Sequence, residues 1–176
     1  MTRYLAFILL FLGISLSAWC TPIDSLKVLL GADAQDAITI ENQLAQLYVL
    51  RSLDSAIYYN EQALSHADQD KAPDAFFQAH FMSLSLMIAR NQVPQAIEKV
   101  NKMLEWPETS ENPIHLGKVY SSLSLIHRRQ GKLDSSQYWV KRALNTLAGS
   151  PVTEATPICL NILARNYEYQ RAYDSC

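Results

Sequence analysis

An all-α fold is predicted, on three observations. The first is a turn and helix start that recur along the chain, as Arg51-Ser52-Leu53-Asp54-Ser55-Ala56, Asn91-Gln92-Val93-Pro94-Gln95-Ala96, Gly131-Lys132-Leu133-Asp134-Ser135-Ser136 and Arg171-Ala172-Tyr173-Asp174-Ser175-Cys176. The small residues closing the copies are Ala56, Ala96, Ser136 and Cys176, so that 96−56, 136−96 and 176−136 are each 40. A fixed period of this size marks stacked supersecondary units, each too small to bury its own apolar face. The second is composition: alanine, leucine, glutamine and serine dominate and only 5 glycines occur, which favours helix. The third is that no run of alternating β-branched residues stands out.

The chain has 176 residues, 49% apolar and 18% charged, with a formal net charge of −2. That is enough apolar surface for a core. The absence of a basic excess argues against a nucleic-acid surface. There are 3 cysteines, Cys20, Cys159 and Cys176, and no CxxC or Cys/His cluster, so no metal site is expected. A Cys159–Cys176 disulfide is disfavoured, because the repeat sets the two on parts of a hairpin that do not face each other.

In chain order, Met1-Thr2-Arg3-Tyr4 is a short basic start, Leu5–Leu16 is apolar apart from Gly13 and Ser15, and Ser17-Ala18-Trp19-Cys20 is rich in small residues. This is the shape of a signal peptide over 1–20, and the apolar run is short for a membrane span. Cleavage after Cys20 removes Arg3 alone among the charges, leaving 14 basic against 17 acidic residues, a net −3. Lipidation at Cys20, which bulky Trp19 fits badly, and an uncleaved anchor are the alternatives. All three place the remainder outside the cytoplasm, periplasmic or membrane-anchored facing the periplasm.

Residues 21–33 read as a short helix and linker, with Asp24 or Ser25 as cap and Gly31 as stop. A helix from Asp36 to Leu50 follows, with Ile38, Leu44, Leu47 and, at its end, Leu50 inward. Its partner is Leu53–Ser65, and His66–Ala72 is a loop. Pro73 opens a helix to Arg90, with Phe77, His80, Leu84 and Met87 inward. Asn91-Gln92-Val93-Pro94 turns into Ala96–Glu105, and Trp106–Asn112 reads as loop. Pro113 opens the third pair, whose first helix ends near Arg129-Gln130. Gly131 supplies the turn, and the partner ends near Leu147. Thr156-Pro157 begins a fourth long helix through Leu160, Leu163, Ala164 and Tyr167, and Tyr173 begins its partner. Asp54, Asp134 and Asp174 each fall in a first turn, where a carboxylate meets free N–H groups; they start helices rather than do chemistry.

Taken together, residues 34–176 resemble tetratricopeptide repeats, helix–turn–helix units whose usual period is about 34 residues. In the third copy Tyr120, Leu123 and His127 take the large places of the first helix and Ser124 its small place. Gly131 takes the turn, and Ser136 and Ala143 the small places of the second helix. Leu163, Ala164 and Tyr167 match in the fourth copy, and Leu84, Met87, Asn91 and Met103 in the second. The first copy fits better with its turn one residue shorter, which brings in Ala45 and Tyr48. The longer period is absorbed by the polar loops between pairs. The resemblance implies an α-solenoid of about three and a half repeats. The leader, Ile-Asp-Ser-Leu-Lys and Asn-Gln-Leu-Ala-Gln-Leu-Tyr together resemble extracytoplasmic repeat regions of Bacteroidetes signalling proteins. The chain ends inside what reads as a helix, so a truncated product is expected.

No GxGxxG, P-loop, HExxH or GxSxG motif is present. His80 and His127 read as core histidines, and His66 and His115 as solvated ones. Trp106 and Trp139 read as packing residues. The resemblance further implies a concave face built by the first helix of each pair. It carries Gln78, Phe81, Ser85 and Ile88, then Lys118, Ser121, Leu125, Arg128 and Arg129, then Asn161, Arg165, Glu168 and Tyr169. Of these, Phe81, Ser85, Lys118, Ser121, Arg128, Arg129, Asn161, Arg165 and Tyr169 are the candidate peptide-binding residues. A solvated helix face is the plainer alternative. The expected protein is a non-enzymatic scaffold, without cofactor or metal, that binds a protein or peptide partner and no nucleic acid, with the N-terminus as its means of membrane attachment. The alternative is the N-terminal sensor region of a longer membrane-anchored histidine kinase or helix-turn-helix regulator.

Overall fold

The computed structural model describes residues 22–32, 37–69, 71–150 and 155–173. The leader read over 1–20 and the repeat start at Asp174–Cys176 lie outside them. Every regular element among the described residues is helical, so the fold is all-α. The chain divides into two compact units, 1–66 and 67–176.

The first unit holds α1 (Pro22–Ala32), α2 (Ala37–Tyr48) and α3 (Leu53–His66). Proline prefers the first helical turn, and α1 begins at Pro22, so Asp24 lies within that turn rather than capping it. The helix also runs past Gly31. Ile23, Ile40 and Leu44 form a small core, closed by Leu26, Leu30, Tyr48 and Tyr59. Tyr48 and Tyr59 stack with centroids 5.5 Å apart. Leu44, Ala45 and Ala56 are fully buried. The buried Glu41 carboxylate lies 2.9 Å from His66 Nδ1, tying the end of α3 to α2. The expectation for Leu47 and Leu50 is overturned. The helix stops at Tyr48, so Leu50 falls in the turn and is 96% exposed, while Leu47 stays partly exposed. Ser52 then caps α3, its hydroxyl accepting from the Ser55 N–H at 3.2 Å.

The second unit holds α4 (Pro73–Ala89), α5 (Val93–Leu104), a short α6 (Pro107–Ser110), α7 (Pro113–Arg129), α8 (Leu133–Leu147) and α9 (Ala155–Tyr173). Pro73 and Pro113 stand at helix starts as expected. Asn112 caps α7, its side chain accepting from Ile114 N at 3.0 Å and His115 N at 3.4 Å. Two expectations fail at prolines for the same reason. Val93-Pro94 is the first turn of α5 rather than a turn before it, and Pro107 falls in a short helix inside the expected loop, since a missing N–H is no loss at a helix start.

The α4–α5 and α7–α8 turns share one geometry. Asn91 has φ +58° and Gly131 φ +74°. Gln92 N donates to Met87 O at 2.9 Å and Asn91 N to Ile88 O at 3.1 Å; Lys132 N donates to His127 O at 2.9 Å and Gly131 N to Arg128 O at 3.0 Å. These paired bonds close a helix end around one left-handed residue, a place for glycine or asparagine. Arg51 and Arg171 hold the corresponding places, and among the described residues neither has positive φ. The fourth turn, expected at Arg171, is absent: α9 continues through Tyr173.

Helix α7 is the centre of this unit. It packs on α8, α5, α9, α6 and α4 and is buried on most faces. A Cβ at Gly117 would lie 2.7 Å from Leu147 Cγ, so the end of α8 comes close there. Ser124 Oγ donates to Ser136 O at 2.7 Å and lies 2.9 Å from Ser136 Oγ, while Asn166 Nδ2 donates to Ser136 Oγ at 2.8 Å. All three residues are fully buried, so one polar knot joins α7, α8 and α9. Ser136→Ala deprives the Asn166 amide of its acceptor, and a buried orphan donor costs about 1–3 kcal/mol. The expected loss of that size is read from urea unfolding; an unchanged midpoint would contradict the knot.

Two further expectations are corrected. Helix α9 buries Ala155, Cys159, Ile162 and Asn166, not the predicted Leu160, Ala164 and Tyr167. Leu160 is 54% and Tyr167 49% exposed, while Leu163 is partly buried. Forty residues earlier, Tyr120 and Ser124 meet α8 through Trp139 and Ser136; no described helix stands over that side of α9. His115, expected to be solvated, is 4% exposed and stacks on Phe77 at 3.7 Å. His115 is buried because the Phe77 ring of α4 packs against it, a contact between helices that position in the chain does not show. Buried Cys159 has its thiol pushed up to about 11 by burial, so it is an unreactive packing residue.

His80 packs edge-on against Phe76 and Trp106, at 4.4 and 4.9 Å, and its Nδ1 lies 2.7 Å from Lys99 Nζ. Burial first, then the Lys99 charge, lowers His80 from its ordinary 6.5 to about 4. The unfolded chain therefore binds the extra proton across that window. Stability from His80 is fully present above 6.5 and is lost as pH falls toward 4. The melting temperature is expected to fall over this range, and His80→Phe, which keeps a ring but does not titrate, should flatten the fall. An equally steep fall in the variant would exclude His80 as its source.

Candidate functional site

The predicted face is carried by α4, α7 and α9. Spacings of three and four residues put Phe81, Ser85 and Ile88 on one stripe of α4, and Lys118, Ser121, Ser122 and Leu125 on one stripe of α7. With Ala155 and Ile158 of α9 these residues line a cleft of about 170 Å³. Phe81, Ser85, Lys118 and Ser121 are thus brought together.

The chemistry of this cleft is mostly apolar. Ser121 and Ser122 both donate their hydroxyl protons to Lys118 O, at 2.7 and 3.1 Å, and Ser85 donates to Phe81 O at 3.0 Å. Hydroxyls bonded back to their own helix offer few donors to a ligand. Lys118 is only 6% exposed. Its Nζ lies 5.5 Å from the Phe81 ring centroid and 3.5 Å from Gln78 Oε1, so its charge is held against a ring face and an amide.

Three more predicted residues, Arg128, Arg129 and Tyr169, gather at the other end of α7. A larger, open cleft of about 980 Å³ lies between the α7–α8 turn and the end of α9. It is lined by Arg128, Arg129, Gly131, Lys132, Leu133, Asp134, Ser135, Tyr169 and Gln170. Gln137 Nε2 donates to Gln170 Oε1 at 2.7 Å, joining α8 to α9. Burial first, then Arg165 and Arg129, holds the Arg128 guanidinium below its ordinary value. Arg165 and Asn161 are exposed on α9 and line neither cleft.

Ile158, Ala155, Ser122, Lys132 and Gln170 were missed. Ile158 was legible: adding the 40-residue period to Lys118 gives it directly, and subtracting gives Gln78. Lys132 and Gln170 carry no such signal, because they enter through the meeting of a turn with a helix end. Among the described residues no group of three or more His, Cys, Asp or Glu side chains could hold a metal ion. No described helix is long and apolar enough to cross a membrane. Comparison with protein-family models, curated proteins and solved structures finds no match to this chain.

Proposed function

We propose that the protein is an exported, non-enzymatic scaffold of the tetratricopeptide kind, an α-solenoid that holds a protein or peptide segment against the first helices of its repeats. The observation that carries this reading is that three helices contribute to one cleft residues related by the 40-residue period. Lys118 and Ile158 line it, and Gln78 binds Lys118. The two matching left-handed turns at Asn91 and Gly131 support the repeat part. The export part rests on the sequence of residues 1–20.

The test is to select peptides from a random library on the chain and map the tightest by amide chemical shifts. Perturbations are expected at Phe81, Ser85, Ser121, Leu125 and Ile158. Ile158 is 48% exposed, so Ile158→Glu should leave the fold intact and weaken binding roughly tenfold or more, as loss of a buried apolar anchor does. Peptides that bind elsewhere, or a library that yields none, would refute the groove.

A further inference from the structure

We infer that the turn between α2 and α3 dips into the headgroup layer of a lipid bilayer, as a second contact beside an N-terminal anchor. The contact requires residues 1–20 in their retained or lipidated form and does not depend on the groove.

Leu50 at this turn is 96% exposed, and Leu47, Val49 and Leu53 around it are each 37% exposed. An apolar cluster held out in this way marks an interaction surface. The repeat itself does not call for it. At 40 and 80 residues further on, Val49 and Leu50 are replaced by Ala89 and Arg90, then by Arg129 and Gln130. The two later turns thus carry polar side chains where the first carries leucine. The backbone of the first turn is also prepared to leave water. Arg51 N and Ser52 N both donate to Tyr48 O, at 2.9 and 2.8 Å, and Val49 N donates to Gln46 O at 3.3 Å. The Ser52 hydroxyl is held by Ser55. A polar group carried toward an apolar layer costs least when it is already bonded.

The shape and the rim of the tip select a lipid layer over a protein pocket. Leu50 projects from a turn, and a fluid layer takes a projecting group without a matching cavity. Side chains with polar ends ring it: Arg51 beside Leu50, Tyr48 at the end of α2, and Lys27, whose Nζ lies 5.6 Å from the Tyr48 ring centroid. Such side chains keep an apolar body at the acyl boundary and a polar end among headgroups. Asp24 and Asp54 offset the two cations, so the contact is apolar first and does not hinge on anionic lipid. The leader supplies the position. Helices α1 and α2 pack together with only residues 33–36 between them, so they run in opposite directions. The start of α1 therefore lies at the end of α2 that carries the turn, in keeping with Lys27 over Tyr48. The apolar run ends at Leu16 and α1 begins at Pro22, and 22−16 is 6. Six residues span at most about 20 Å, so an anchored leader holds this end of the first unit close to the bilayer.

Tryptophan emission from the whole chain on vesicles tests this. The vesicles are phosphatidylethanolamine and phosphatidylglycerol, with lipids brominated in the upper acyl chain as quenchers. Leu50→Trp puts a reporter in the first turn, Arg90→Trp and Gln130→Trp put it in the two later turns, and the parent supplies the background of Trp19, Trp106 and Trp139. The emission added at position 50 is expected to shift to the blue and to lose most of its intensity to the bromines, while that added at 90 and 130 is kept. Leu50→Asp is expected to lower the vesicle partition coefficient roughly tenfold, the scale of one leucine's burial. It should leave the melting temperature in free solution unchanged, because the side chain is exposed. An unquenched reporter at position 50 on vesicle-bound chain, equal quenching at all three positions, or a chain that does not bind vesicles would overturn the inference. So would a blue shift at position 50 that grows with protein concentration in the absence of lipid, which marks a second copy of the chain as the occupant. None of these outcomes touches peptide binding at Ile158, so the groove stands or falls by its own test.

Discussion

Phe77→Ala is expected to lower the unfolding free energy by about 3–5 kcal/mol, the usual range for emptying a buried aromatic site. Phe77 has no exposure and is the largest of the fully buried side chains. Its ring stacks on His115 at 3.7 Å and lies 5.8 Å from the Phe81 ring, nearly parallel to it. One truncation therefore opens a cavity between α4 and α7 and removes the support behind the groove residue Phe81. Stability of a domain is a small difference, about 5–15 kcal/mol, so the loss should move the denaturation midpoint far. The check is urea unfolding followed by circular dichroism, with slope and midpoint fitted together. A change under about 1 kcal/mol would show that the α4–α7 contact is not central to the second unit.

Ala96→Leu is expected to destabilise by about 1–3 kcal/mol or more, this time by overpacking. Ala96 is fully buried at the start of α5, as Ala56 is in α3 and Ser136 in α8. At Ser136 the reason for small size is visible, since its oxygens lie within 3 Å of Ser124 Oγ. Ala96 stands 40 residues before Ser136 and Leu84 40 before Ser124, and both are fully buried in one apolar cluster. A larger side chain has nowhere to go without parting the helices. Gln95→Leu, on an exposed neighbouring position, is the control and should stay within about 0.5 kcal/mol of the parent. Equal melting of the two variants would refute the register that places Ala96 between helices.

Most helices could be read because local chemistry and burial agree there. Pro73 and Pro113 open helices, and Asn91 and Gly131 are residue types that tolerate a left-handed turn. Where two local readings compete, the chain alone does not choose. Pro94 and Pro107 were read as loop residues, and each lies in a helical first turn. A proline signals either, and the difference lies in whether a neighbour accepts the helix that follows. Leu50 was misread because periodicity does not say where a helix ends.

The candidate site was legible in part for the same reason. Phe81, Ser85, Lys118 and Ser121 sit on a repeating stripe, so the period brings them together. The arginine cleft depends on a turn meeting the end of another helix. Arg128, Arg129 and Tyr169 were named from the repeat, while Lys132 and Gln170 became visible only with the chain folded.

By itself the sequence determines that this chain is helical and where its helices mostly start. It also determines which small residues must be buried, because those properties depend on residue type and on spacing along one element. Only the tertiary structure decides which face of α9 is buried. Its predicted face carries Leu160 and Tyr167, as apolar as the face carrying Cys159 and Ile162, yet only the latter meets α7 and α8. Hydrophobicity is non-directional, so a helix with two apolar sides buries the one against which a neighbour packs.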